Sequence, residues 1–347
     1  MIREIRIEEL FVFKKAILVD VRSEGEYSEA TIPGALNLPL FNNYERAEVG
    51  KAYTQISPFA ARKIGLNFIS PKLPSLVERA LKLAESGQLV VFCWRGGLRS
   101  KALAAILDLM GVPVYRLQGG YKAYRAKVLE FFQAEPAFKI IVLCGNTGVG
   151  KTEFLASLRR EGYPVIDLEK LANNRGSVFG SMGLGDPPSQ KAFEGMLYEE
   201  LKSLAGFNYL IVECESKRIG KVTLPLSFYR AMQNGTRVLL FDSIPNRIAR
   251  LVKEYSSVPN ILTETDKALE RLLKTLGRSK VHDLKELIRQ ENYPEFTEKL
   301  LLEYYDIYYA YPNEASDKYR LCLNQEDKEV LKQLKQMKEF LAEWSAR

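Results

Sequence analysis

The chain is short of the residues that most often move protons or hold metals. Its 347 residues include one histidine and four cysteines. His282 lies in a charged helical stretch, so Ser-His-Asp and Cys-His catalysis are disfavoured for want of a placed base. The cysteines (Cys93, Cys144, Cys214 and Cys322) form no C-x-x-C pair. Their scatter argues against a zinc site or a disulfide framework and for a reducing cytoplasm. No run approaches the roughly 18 unbroken apolar residues of a membrane span. The opening MIREIRIEEL mixes acids with its apolar residues, unlike a signal peptide. Internal repeats and low-complexity segments are also missing. These absences lead us to expect a cytoplasmic globular protein with no membrane partner.

Charge is present but uneven. The net charge is +7, yet residues 46–127 alone hold 14 Lys/Arg against 4 Asp/Glu. Such an excess suits a polyanion such as nucleic acid, although a solvated basic face needs no partner. Arg46, Lys51, Arg62, Lys63 and Lys122 are candidates for phosphate contacts, and Tyr44, Tyr53 and Trp94 for base stacking.

At this length two or three domains are expected. Apolar runs at 16–22, 88–92 and 112–117 alternate with helical patterns at 73–87, 99–111 and 119–133. That alternation predicts an α/β domain with a parallel sheet over residues 1–133. AEPAF (134–138) reads as a linker. A second α/β domain is expected over 139–245, and a charged helical region over 246–347 that includes DKEVLKQLKQMKEFLAEW.

Two loops carry chemistry. CWRGGLRS (93–100) follows the strand-like QLVVF and precedes a helix. Backbone N–H groups of a Gly-rich loop and the positive end of a helix form an anion cradle, and such a field also favours the reactive thiolate form of a cysteine. Cys93 is the candidate nucleophile, with Arg95, Gly96, Gly97 and Arg99 as the cradle.

The second loop, Gly145-Asn146-Thr147-Gly148-Val149-Gly150-Lys151-Thr152, matches G-x-x-x-x-G-K-[ST] between an apolar strand and a helix. It predicts a diphosphate cradle in which Lys151 neutralises charge and Thr152 reaches Mg²⁺. Glu213, ending the run YLIV, is a candidate second contact for metal or water. Arg175 and Arg218 are candidate anion contacts, each with a structural ion pair as the plainer reading.

DVRSEGEYSEATIPGALNLP (20–39) and the Cys93 loop resemble a rhodanese domain. Arg99 stands six residues after Cys93, and this C-x5-R spacing is similar to that of the related phosphatases. Fused to a P-loop domain, the chain resembles the tRNA 2-selenouridine synthase family. CWRGGLRS, GGYKAYR (119–125), GNTGVGKT, LEKLANNRGSVFG (168–180), SQKAFE (189–194), VECESKRIG (212–220) and LLEYYDIYY (301–309) carry that likeness.

The resemblance implies a transferase that acts on the wobble uridine of tRNAs carrying 2-thiouridine. It implies selenophosphate as selenium donor and geranyl diphosphate as a second co-substrate, with S-geranyl-2-thiouridine between. Mg²⁺ and a selenophosphate-producing enzyme are further expected partners. Cys93 would take selenium as a seleno-persulfide. Three readings compete: a tRNA sulfurtransferase with an accessory P-loop ATPase, a C-x5-R phosphatase, and a non-enzymatic P-loop switch.

Overall fold

The computed structural model describes residues 2–10, 13, 15–256, 258–326 and 330–345. Residues 327–329 of the expected C-terminal helix lie outside this set. The chain divides into two units. One comprises Met1–Gln133 and Pro188–Glu199; the other comprises Ala134–Pro187 and Glu200–Arg347. Residues 188–199, which the sequence pattern assigns to the P-loop domain, therefore belong with the first unit. Three observations explain the assignment: Tyr198 joins the core that contains Tyr121 and Tyr124, the Tyr124 hydroxyl donates to the Gly195 carbonyl, and Arg125 pairs with Glu194.

The first unit holds five parallel strands: β1 (Arg3–Ile5), β2 (Ala16–Asp20), β3 (Leu36–Asn37), β4 (Gln88–Phe92) and β5 (Val114–Leu117). Their order is β1-β5-β4-β2-β3. AILVD and QLVVF are apolar almost throughout because helices cover both faces of the sheet. Ala16 to Asp20 pair in step with Gln88 to Phe92, so Asp20 ends beside Phe92 at the edge where Cys93 follows.

The second unit repeats the plan. β6 (Lys139–Cys144), β7 (Val165–Ile166), β8 (Tyr209–Glu213), β11 (Thr236–Phe241) and β12 (Leu321–Asn324) form a parallel sheet in the order β12-β11-β6-β8-β7. β9 (Arg218–Ile219) and β10 (Val222–Thr223) form a separate antiparallel hairpin. The chain order reverses about β6, and ligands of such sheets bind beyond the strand ends at that point. The helical region is confirmed at Ile244–Tyr255, Ile261–Leu276, Arg278–Arg289 and Tyr293–Leu300. It is not helical throughout, because its LCLN run supplies β12 beside β11. Among the described residues, no helix is long and apolar enough to cross a membrane.

Candidate active site: a thiol cradle and a phosphate loop

Cys93 lies one residue beyond β4 and is 3% exposed. Its Sγ accepts the Gly97 N–H at 3.2 Å and lies 3.3 Å from the Ser100 hydroxyl. The Leu98–Leu109 helix starts directly behind it, so the sulfur faces that helix's N-terminus. Gly120 closes the other side: a Cβ there would come within 2.1 Å of the Cys93 carbonyl oxygen, and its φ is +56°. Only glycine allows the two loops to approach this closely. Beneath the cup, the buried Asp20–Arg22 pair and Tyr121 form a fixed floor, with the Arg22 guanidinium 4.4 Å from the Tyr121 ring centre.

Arg99 does not reach freely into the cradle. Its guanidinium donates to Glu26 at 2.5 and 3.2 Å. Burial opposes charge on Glu26, but the Arg99 bonds and the charges of Arg99 and Arg46 hold its carboxyl below the ordinary range. Arg95 is exposed at the loop. An incoming anion would therefore meet the N–H groups and Arg95 first, and Arg99 only by competing with Glu26. Sequence reasoning missed Glu26 because it lies 73 residues from its partner.

In the second unit the P-loop joins β6 to the Lys151–Arg160 helix. Gly145 has φ +148°, and a Cβ there would lie 2.3 Å from the Leu240 carbonyl oxygen. Lys151 Nζ donates to the carbonyls of Gly145 at 2.7 Å and Asn146 at 3.3 Å, so the ammonium is held over the loop. A cleft of about 640 Å³ opens there, lined among others by Lys151, Thr152, Glu169, Arg175, Cys214 and Tyr309.

Of the other residues singled out from sequence, Arg175 lines this cleft, paired with Glu254 at 2.6 Å and donating to the Met182 carbonyl. Arg218 is exposed on the β9–β10 hairpin and bonds the Gly220 carbonyl. Glu213 is sealed beneath the cleft at 2% exposure and accepts the Glu169 N–H at 2.7 Å. Burial pushes its carboxyl well above the ordinary range.

Glu169 and Glu215 border the cleft instead. Burial, and then the neighbouring Glu169 charge, push Glu215 up to about 8. Thr152 Oγ1 lies 3.4 Å from Glu169 Oε2. Cys214 also faces the cleft, its Sγ 2.9 Å from the Tyr311 hydroxyl.

An apolar cavity adjoins this cleft. Thr147, Ser177, Leu251 and Tyr255 line both spaces, and Phe179, Met182, Phe296 and Leu301 line the cavity alone. Its free volume is about 50 Å³.

A cysteine loop at a strand end and a G-x-x-x-x-G-K-T loop before a helix, on one chain, define the class. Residues 7–127 match the rhodanese-like domain, and residues 138–340 match the tRNA 2-selenouridine synthase AAA domain. The chain is 36% identical to the tRNA 2-selenouridine synthase of Pseudomonas syringae pv. syringae (strain B728a), over 86% of this chain and 88% of that one. With the corresponding enzyme of Pseudomonas savastanoi pv. phaseolicola (strain 1448A / Race 6) it shares 35% over the same fractions. The chain belongs to the tRNA 2-selenouridine synthase family.

Proposed function

We propose that this protein converts 2-thiouridine in tRNA to 2-selenouridine in the cytoplasm, in two steps that use geranyl diphosphate and then selenophosphate. The observation that carries the first step is the apolar cavity sharing Thr147 with the phosphate loop. A diphosphate on the loop would direct a hydrocarbon tail toward that cavity, whereas a nucleotide's polar sugar and base would gain little there. The cavity is smaller than a ten-carbon chain, so entry requires lining side chains such as Met182 to shift, and methionine re-packs readily.

In that step the uridine sulfur attacks C1 of the geranyl group, the C1–O electron pair leaves with diphosphate, and the N3 proton is released. Lys151 and the loop N–H groups stabilise the departing charge. Mg²⁺ suits the hydroxyl-and-carboxylate chemistry of Thr152 and Glu169 and would neutralise diphosphate charge. Glu213, enclosed below, would act on it only through the Glu169 backbone.

The thioether can then leave C2 as geranyl thiolate. The seleno-persulfide expected from sequence would require thiolate attack on selenium, expelling phosphorus as phosphite. Attack of the Cys93 thiolate on phosphorus expels selenide instead and needs no oxidant. Selenide displaces geranyl thiolate from C2, and water returns the cysteine by releasing phosphate. Cys93→Ser should abolish selenouridine formation while tRNA affinity stays within about twofold, since oxygen is a far weaker nucleophile at neutral pH. Normal selenation by this variant would remove Cys93 from the mechanism.

A further inference from the structure

The segment after the Tyr293–Leu300 helix ends in a tip rich in tyrosine. Leu301–Tyr305 is one π-helical turn, and Asp306–Tyr309 is α-helical. Turns of this width are uncommon and are frequent at functional sites. This one leaves Ile307 72% and Tyr308 73% exposed. Tyr304 stacks on Tyr308, with ring centres 6.2 Å apart and planes 23° from parallel. The exposed faces add no buried area to the fold.

The tip is held firmly to the phosphate loop. Buried Arg247 donates to both Asp306 oxygens, at 2.9 and 2.5 Å, and to the Thr147 carbonyl at 2.8 Å. The Asn146 amide grips the other end, donating to the Tyr311 carbonyl at 2.9 Å and accepting the Tyr311 N–H. Tyr309 lines the cleft, and its hydroxyl donates to the Gly176 carbonyl at 3.2 Å. On the strand side Glu215 borders the cleft, and the chain runs from it directly into the β9–β10 hairpin. Lys217, Arg218 and Lys221 there are exposed and have no carboxylate partner among the described residues.

We propose that this tip is a base-stacking platform: an unpaired base next to the reacting one in the RNA substrate lies on Tyr308, and the hairpin cations hold its flanking phosphates. The inference rests on the reading that a thio-base reacts in the P-loop cleft, because that base must leave its neighbours to enter. An exposed aromatic ring replaces the lost base stacking without selecting sequence. A rigid mount lowers the entropy cost of ordering the platform. The lead from the cleft into the hairpin cations favours RNA over a protein partner, for which the exposed Leu302, Ile307, Tyr308 and Tyr309 make a small patch.

The test uses the full chain and an anticodon stem-loop with 2-aminopurine beside the 2-thiouridine, with no geranyl diphosphate present. Tyr308→Ala should weaken binding about tenfold and abolish the fluorescence change, and Tyr308→Trp should retain both. Lys217→Glu should lower the salt slope of binding by about one or more. Wild-type affinity and fluorescence in Tyr308→Ala would overturn the platform, including in favour of a protein ligand at this tip. Because donor is absent, the result stands apart from the geranyl reading. Loss of stacking in the variant, together with failure of the wild type to geranylate, would keep the platform and discard the donor.

Discussion

Glu26 is the residue that most changes how the cradle works, because it holds the arginine that the C-x5-R spacing assigned to the anion. Its carboxyl is depressed by folding, so the ionised group stabilises the native state above its unfolded value of about 4.3, and that contribution is lost as pH falls through the lower folded value. Glu26→Gln should therefore be less stable than wild type by a constant margin near neutrality, with the margin shrinking below about pH 4.5. Urea midpoints across pH check this. A second residue-scale expectation concerns Cys214. Hydrogen bonding with Cys144 pulls its thiol down to about 6 against burial, helped by the Tyr311 hydroxyl and the charges of Arg237 and Lys151. Alkylation by iodoacetamide should rise through about pH 6, be blocked by pyrophosphate, and shift to higher pH in Tyr311→Phe. Peptide mass spectrometry reads all three. Cys93 and Lys151 were legible in sequence because strand, loop and helix start are contiguous. Glu169 and Glu26 were not, because folding alone brings them to their partners.

At the scale of elements, the clamp between the phosphate loop and the tyrosine tip is the least obvious feature of the sequence. Arg247 and Asp306 are 59 residues apart and meet with Arg247 fully buried. Removing one partner of a buried pair commonly costs about 3 kcal/mol or more. Arg247→Ala should lower the urea stability of this unit by that order, read at Trp344, which packs in its core. It should also impair pyrophosphate binding, because Thr147 loses its anchor. The sheet strands were readable because AILVD, QLVVF and KIIVLC are apolar runs that only a doubly covered parallel sheet can bury. β12 was not readable: LCLN is four residues long, follows the irregular stretch 310–320, and gains its place only by pairing with β11. The same limit hid residues 188–199, whose amphipathic helix pattern does not state which core receives it.

For the whole molecule, the basic excess of residues 46–127 would draw a polyanionic RNA by charge alone. Tyr44 and Tyr53 are 68% and 59% exposed, as a stacking role requires, whereas Trp94 packs on Tyr121 with ring centres 5.6 Å apart. Reversing Arg62 and Lys63 should weaken tRNA binding and flatten its salt dependence by about one unit for each phosphate no longer neutralised. A salt titration that leaves slope and affinity unchanged would contradict that attraction. The central claim, that carbon chemistry at the P-loop precedes selenium chemistry at Cys93, is tested most directly by separating the donors. Purified protein is given 2-thiouridine tRNA with geranyl diphosphate alone, then with selenophosphate added, and the nucleosides are read by mass spectrometry. Wild type and Cys93→Ser should both form S-geranyl-2-thiouridine in the first stage and Lys151→Ala should not; only wild type should then form 2-selenouridine. Selenouridine appearing without geranyl diphosphate, or geranylation by Lys151→Ala at the wild-type rate, would contradict the account.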